Sequence, residues 1–84
     1  MTLIQTIVNL VRDTNKIMFD DAVRIKLSPH SWPINIYGVW VVNSCVWLLN
    51  SDGDWHKLEV TDRNFEAVAN SIIQRLKSLT SVKN

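Results

Sequence analysis

The stretch Ile34–Val60, INIYGVWVVNSCVWLLNSDGDWHKLEV, decides how this chain folds. It holds three of the four tryptophans, the only cysteine and both glycines. Two turn signals divide it. Asn43-Ser44 suits a two-residue turn, because Asn tolerates the left-handed conformation. Asp52-Gly53 is the stronger hairpin signal. The residues around these turns are β-branched, aromatic or aliphatic. They predict three consecutive antiparallel strands, Ile34–Val42, Cys45–Asn50 and Trp55–Val60.

Two-residue turns fix a register. Val42 then opposes Cys45, Trp40 opposes Trp47, Asn50 opposes Trp55, Leu49 opposes His56, and Trp47 opposes Leu58. Alternation sorts the side chains into two faces. The first carries Ile34, Ile36, Gly38, Trp40, Val42, Cys45, Trp47, Leu49, His56, Leu58 and Val60. The second carries Asn35, Tyr37, Val39, Val41, Val46, Leu48, Asn50, Trp55, Lys57 and Glu59. The first face is the expected core, since each buried Trp removes up to about 250 Å² from water. A bulge or a close contact is expected at Gly38.

Downstream, Thr61, Asp62 and Asn64 suit a helix start, and Phe65, Val68, Ala69, Ile72, Ile73, Leu76 and Leu79 keep helical spacing. Asp62 and Glu66 fit its positive end, and Arg75 and Lys77 its negative end. Ser78–Asn84 is expected to fray. Upstream, Ala22–Leu27 alternates, with Val23, Ile25 and Leu27 against Arg24 and Lys26, as a half-exposed strand does. SPHSWP, with two prolines, is a loop expected to be anchored by Trp32. Before that, Thr2 and Gln5 fit a capping box, and Leu3, Ile4, Ile7, Val8, Leu10, Val11 and Met18 mark a helix over Leu3–Phe19.

The expected fold is therefore α+β, with order α-β-β-β-β-α. It is a four-stranded antiparallel meander with the N- and C-terminal helices packed on one face as a two-layer sandwich. Helices on opposite faces are the other arrangement. The 84 residues predict one domain over residues 1–84. A composition 46% hydrophobic and 20% charged is that of a globular chain. One cysteine forms no internal disulfide, which fits a reducing compartment, and a cytoplasmic location is expected. MTLIQTIVNLVRD has no basic lead or small-residue cleavage site, so a signal peptide is not expected. No run of 18 apolar residues is present, and no membrane association is expected.

Motifs for chemistry are weak. Asn50-Ser51-Asp52-Gly53-Asp54 lacks the ligand order of a calcium loop. His30, His56 and Cys45 match no zinc spacing, so neither metal nor cofactor is expected. Cys45 has no basic neighbour to activate it, Asp20-Asp21 reads as a helix stop, and two glycines make no phosphate loop. What stands out is the second face. Its centre is the apolar quartet Val39, Val41, Val46 and Leu48, and its rim is Tyr37, Trp55, Lys57, Arg24 and Lys26. With both helices on the first face, that quartet is left uncovered, as interfaces are.

The expected function follows from it: a small non-enzymatic interaction module, an adaptor, regulator or inhibitor. It would bind a protein partner or form a homodimer through those nine residues. The alternative is a single-stranded nucleic-acid binder using Arg24, Lys26, Lys57, Tyr37 and Trp55, against which a net charge of +1 weighs. A small-molecule or catalytic domain is the third reading.

Overall fold

A computed structural model describes residues 2–11 and 15–81, with side chains through residue 79. The elements run α1 (Leu3–Val11), β1 (Lys16–Ile25), β2 (Ile34–Val42), β3 (Cys45–Leu49), β4 (Trp55–Lys57) and α2 (Phe65–Ser81). The four strands form one antiparallel sheet in the order β1-β2-β3-β4. α1 packs on β2, β3 and α2, and α2 packs on α1 and β1. Both helices therefore lie on the same face of a meander, and the fold is a two-layer α+β sandwich.

Local chemistry explains the boundaries. Thr2 caps α1 by accepting the Gln5 amide on Oγ1 at 3.0 Å. The Gln5 side chain points along the helix, its Nε2 donating to Asn9 Oδ1 at 3.1 Å. The described part of α1 is Leu3–Val11, and the helix expected over Leu3–Phe19 does not extend to Lys16, where β1 begins. Asn15 adopts φ 64° and its amide donates to the Val11 carbonyl at 2.9 Å, so the turn is closed by a residue type that tolerates the left-handed region. The positions given to that helix at residues 12–14 lie outside the described residues. Lys16–Phe19 is strand, and the strand expected at Ala22–Leu27 begins six residues earlier and ends at Ile25. α2 runs on through Ser81, so residues 78–81 continue the helix, while 82–84 lie outside the described residues. Arg75 and Lys77 accordingly stand before its last turn. Arg75 instead ties α2 to β1: Nη1 donates to the Asp21 carbonyl at 2.7 Å and the guanidinium sits 5.5 Å from the Phe19 ring.

Two irregularities set which side chains point inward. In β1–β2, Met18 pairs with Gly38 and Val23 with Ile36, so residues 19–22 stand opposite Tyr37 alone. This bulge shifts the alternation of β2: Ile36 and Val39 are both buried in the core, three positions apart. At the β3–β4 turn, the Asn50 amide donates to the Asp54 carbonyl at 3.0 Å, which leaves three residues in the loop rather than two. Asn50 Oδ1 accepts the amides of Asp52 at 2.9 Å and Asp54 at 3.0 Å, and Gly53 takes φ 86°. Leu49 consequently pairs with Trp55, and Trp47 with Lys57, one residue off the expected register. β4 is correspondingly short, and Leu58 turns into the core.

The core is on the face opposite to the one expected. Val39 and Val46 are 0% exposed, Val41 8% and Leu48 5%. They lie with Ile7 and Val11 of α1 and Ile72 and Leu76 of α2 in one cluster. The quartet expected as an interface is therefore the floor beneath the helices, and the Trp40–Trp47 face is the uncovered one. The physical reason is shape and polarity. The helix stripes facing the sheet are aliphatic apart from Phe65, and the core contains no buried polar residue among the described ones. An indole N–H buried there has no acceptor, whereas small branched side chains let the layers close. Trp32 anchors nothing, being 91% exposed.

The adjacent leucines of β3 separate the two faces experimentally. Leu48→Ala is expected to cost about 2–5 kcal/mol in urea unfolding, as a buried truncation does. Leu49→Ala, on the uncovered side, is expected to cost no more than about 1 kcal/mol.

Candidate interaction face

Cross-strand partners share a face, so the register lays out the uncovered side in rows. One row is Lys16, Trp40, Trp47 and Lys57, one residue from each strand. The next is Met18, Gly38, Leu49 and Trp55. Beyond Trp40 and Trp47, Val42 pairs with Cys45 at the turn. Asn43 and Ser44 complete that turn with φ 52° and 62°, the geometry that a two-residue hairpin loop needs.

The tryptophans form a packed group. Trp40 meets Trp47 with centroids 6.3 Å apart and planes tilted by 44°. Trp55 meets Trp40 edge-on, at 5.7 Å and 64°. Lys16 Nζ lies 5.2 Å from the Trp40 ring and 5.5 Å from the Trp55 ring, within cation–π range of both. All three indoles are half-buried, while Met18 is 56% exposed. Leu49, Val42 and Cys45 are half-buried beside them. The face is thus apolar and aromatic, partly open to solvent, with its rings in mutual contact.

Gly38 is what allows Trp55 to lie down across the sheet. A Cβ at this position would stand 2.9 Å from Met18 Sδ, 3.2 Å from the Ile17 carbonyl oxygen and 3.3 Å from the Trp55 ring. The thioether can move away, but the carbonyl belongs to the strand and cannot. The glycine is a recess in which an indole and a sulfur rest.

The residues expected at an interface separate cleanly. Val39, Val41, Val46 and Leu48 are core. Trp55 and Lys57 join Trp40 and Trp47 on the uncovered side through the shifted β3–β4 register. Arg24 pairs with Asn35 on that same side, since its neighbours Val23 and Ile25 are buried. Lys26 follows β1 and is exposed, and Tyr37 is exposed at the bulge. Lys57 Nζ reaches Glu59 Oε1 at 3.9 Å, both side chains being in solvent. Lys16, Met18, Trp40, Trp47 and Leu49 were not among the expected interface residues. Helical spacing places the first two in the expected helix, and the expected core face takes the last three. The period-two run Ile17, Phe19, Val23, Ile25 is the signal that places Lys16 and Met18 on a strand.

The sequence candidates for chemistry lie on different parts of the fold. Cys45 is on the uncovered face, His56 pairs with Leu48 on the opposite parity, and His30 is in the β1–β2 loop. Among the described residues no three His, Cys, Asp or Glu side chains group as a metal site. Asn50 spends its side chain on the hairpin turn rather than on an ion. A hollow of about 270 Å³ opens between β4 and the start of α2, floored by Ile36, Leu48, Leu58 and Phe65. Its polar rim, including His56, Asp62 and Arg63, is exposed. Among the described residues no helix is long and apolar enough to cross a membrane. Comparison of the chain with protein-family models, curated proteins and solved structures finds no match.

Gly38→Ala tests the recess. An alanine in a strand is ordinarily the more stable residue by up to about 1 kcal/mol. Here it is expected to destabilise by about 1–3 kcal/mol, as overpacking does, with a shift in tryptophan emission as Trp55 lifts off Trp40.

Proposed function

We propose that this is a non-enzymatic protein-interaction module, acting as an adaptor, regulator or inhibitor, whose binding surface is the uncovered tryptophan face. The observation that carries this reading is the grouping of Trp40, Trp47 and Trp55 with Leu49 and Met18 on a sheet face that neither helix covers. Tryptophans dominate the energetics of protein interfaces, because each brings a large apolar area and a polar N–H at small entropic cost. Preorganisation adds to this. The rings already contact one another without a partner, which reduces the side-chain freedom lost on binding.

The size of the patch favours a short segment of another protein as the occupant. Four strands at a spacing of ~4.8 Å span about 14 Å, and the paired rows extend a similar distance along the strands. That footprint is well below the ~800 Å² per partner typical of a stable association between folded proteins. A peptide segment needs no more. Self-association through this face alone is accordingly weak. The reading carries with it a cytoplasmic location, supported by the free Cys45 on an accessible face.

The test begins with affinity capture using the wild type and the folded variants Trp40→Ala and Trp47→Ala, followed by titration of the purified captured partner. Loss of a central tryptophan is expected to cost about 2 kcal/mol or more, some 30-fold in Kd. A partner bound equally by all three proteins contradicts the reading. So does a wild-type dimer at micromolar concentration in sedimentation that Trp47→Ala abolishes, since the second copy would then be the occupant.

A further inference from the structure

We propose that the segment bound by the tryptophan face is apolar at its centre and acidic at its flanks, and that it lies across the strands along the row Lys16, Trp40, Trp47, Lys57. This rests on the reading of the face as a protein-binding surface and names the chemistry of its partner. The row is a cation, two indoles and a cation in register. At a strand spacing of ~4.8 Å the two lysine Cα atoms are about 14 Å apart. An extended chain covers that distance in about four residues. Carboxylates separated by three or four residues therefore reach both ammonium groups while the residues between them cover the indoles.

The cations are available for this. Lys16 has no carboxylate within ion-pair distance among the described residues, and its ammonium rests on the Trp40 and Trp55 rings. A carboxylate offers that ammonium a stronger, charge-assisted bond than a partly wet ring does. Lys57 has only Glu59, at 3.9 Å and in solvent, which is a loose pair. Arg24 adds a third positive charge on the same side, opposite Asn35. No acid occupies the paired rows; Asp20 falls in the bulge and Glu59 after β4.

Other occupants fit the face less well. A second copy brings its own Lys16 and Lys57 to the same small contact, and no acid from the paired rows answers them. Single-stranded nucleic acid needs free π-faces on which bases can stack. Here the rings are tilted into one another, and Lys16 sits over two of them. An acid-flanked apolar segment uses both the exposed ring edges and the cations.

The experiment is selection from a random peptide display library. The targets are the wild type, the double variant Lys16→Glu/Lys57→Glu, the neutral double variant Lys16→Met/Lys57→Met and Trp47→Ala, each verified as folded by circular dichroism. The wild type is expected to enrich peptides with Asp or Glu on both sides of Leu, Ile, Phe or Trp. The synthesised consensus should bind at least tenfold more weakly to either double variant, and the glutamate variant should enrich basic flanks instead. If the glutamate variant fails to fold, the methionine variant alone decides, by loss of the acidic preference. Enrichment of apolar peptides that need Trp47 but show no acidic flanks overturns this proposal and leaves the protein-binding reading standing. Absence of any enrichment that depends on Trp47 overturns both. Binding of a labelled ten-nucleotide single strand, competing with the consensus peptide and lost in Trp47→Ala, makes nucleic acid the occupant and also overturns it.

Discussion

The dry cluster that Val39, Val41, Val46 and Leu48 form with Ile7 and Val11 of α1 and Ile72 and Leu76 of α2 is what the rest of the structure depends on. Ile7, Val11, Ile72 and Leu76 close over the sheet with at most 1% of their surface left to water. Interiors of this kind approach the packing density of organic crystals, and no polar group has to be satisfied within this one. The contact has a consequence on the far side of the sheet. Side chains alternate, so committing one parity of β2 and β3 to the helices commits the other to solvent. Three tryptophans on an open face are the complement of a core that is aliphatic but for Phe19 and the half-buried Phe65.

Two local devices make that partition work at the sheet margins. The bulge opposite Tyr37 turns Ile36 inward, where strict alternation from Trp40 would leave it outside. The three-residue loop held by Asn50 turns Leu58 inward and Trp55 outward in one step. Each brings an aliphatic residue into the core, and the loop also delivers an aromatic residue to the surface. Gly38 serves both sides, as a position at the edge of the bulge and as the recess that lets Trp55 reach Trp40. Fold and candidate site are therefore built by the same residues.

The element order, the meander and the single-faced helices were legible in the sequence, because turn signals and helical spacing are local. The Asn43-Ser44 turn formed as its residues require, and with it the Trp40–Trp47 and Val41–Val46 pairs. The choice of face was not legible from alternation, since both parities of β2 and β3 are apolar. It turns on what the helices can accept, and aliphatic helix stripes offer an indole N–H no acceptor. The β3–β4 register was missed for a related reason. Asp52-Gly53 signals a hairpin, but the loop length is set by Asn50, whose side chain takes two backbone amides. The end of α1 was obscured because Ile17 and Phe19 suit a strand and Met18 suits the helical stripe; the left-handed Asn15 decides between them. The rim residues Trp55, Lys57 and Arg24 were recognised as surface residues, but they border tryptophans rather than valines.

In this account the aliphatic side of the sheet holds the molecule together and the aromatic side meets the partner. Solvent paramagnetic relaxation with a soluble gadolinium chelate reads that division residue by residue. Strong broadening is expected for the Met18 and Leu49 methyls and for the Trp40, Trp47 and Trp55 indole signals, with the methyls of Val39, Val41, Val46 and Leu48 protected. Protected indoles above broadened valine methyls would contradict it.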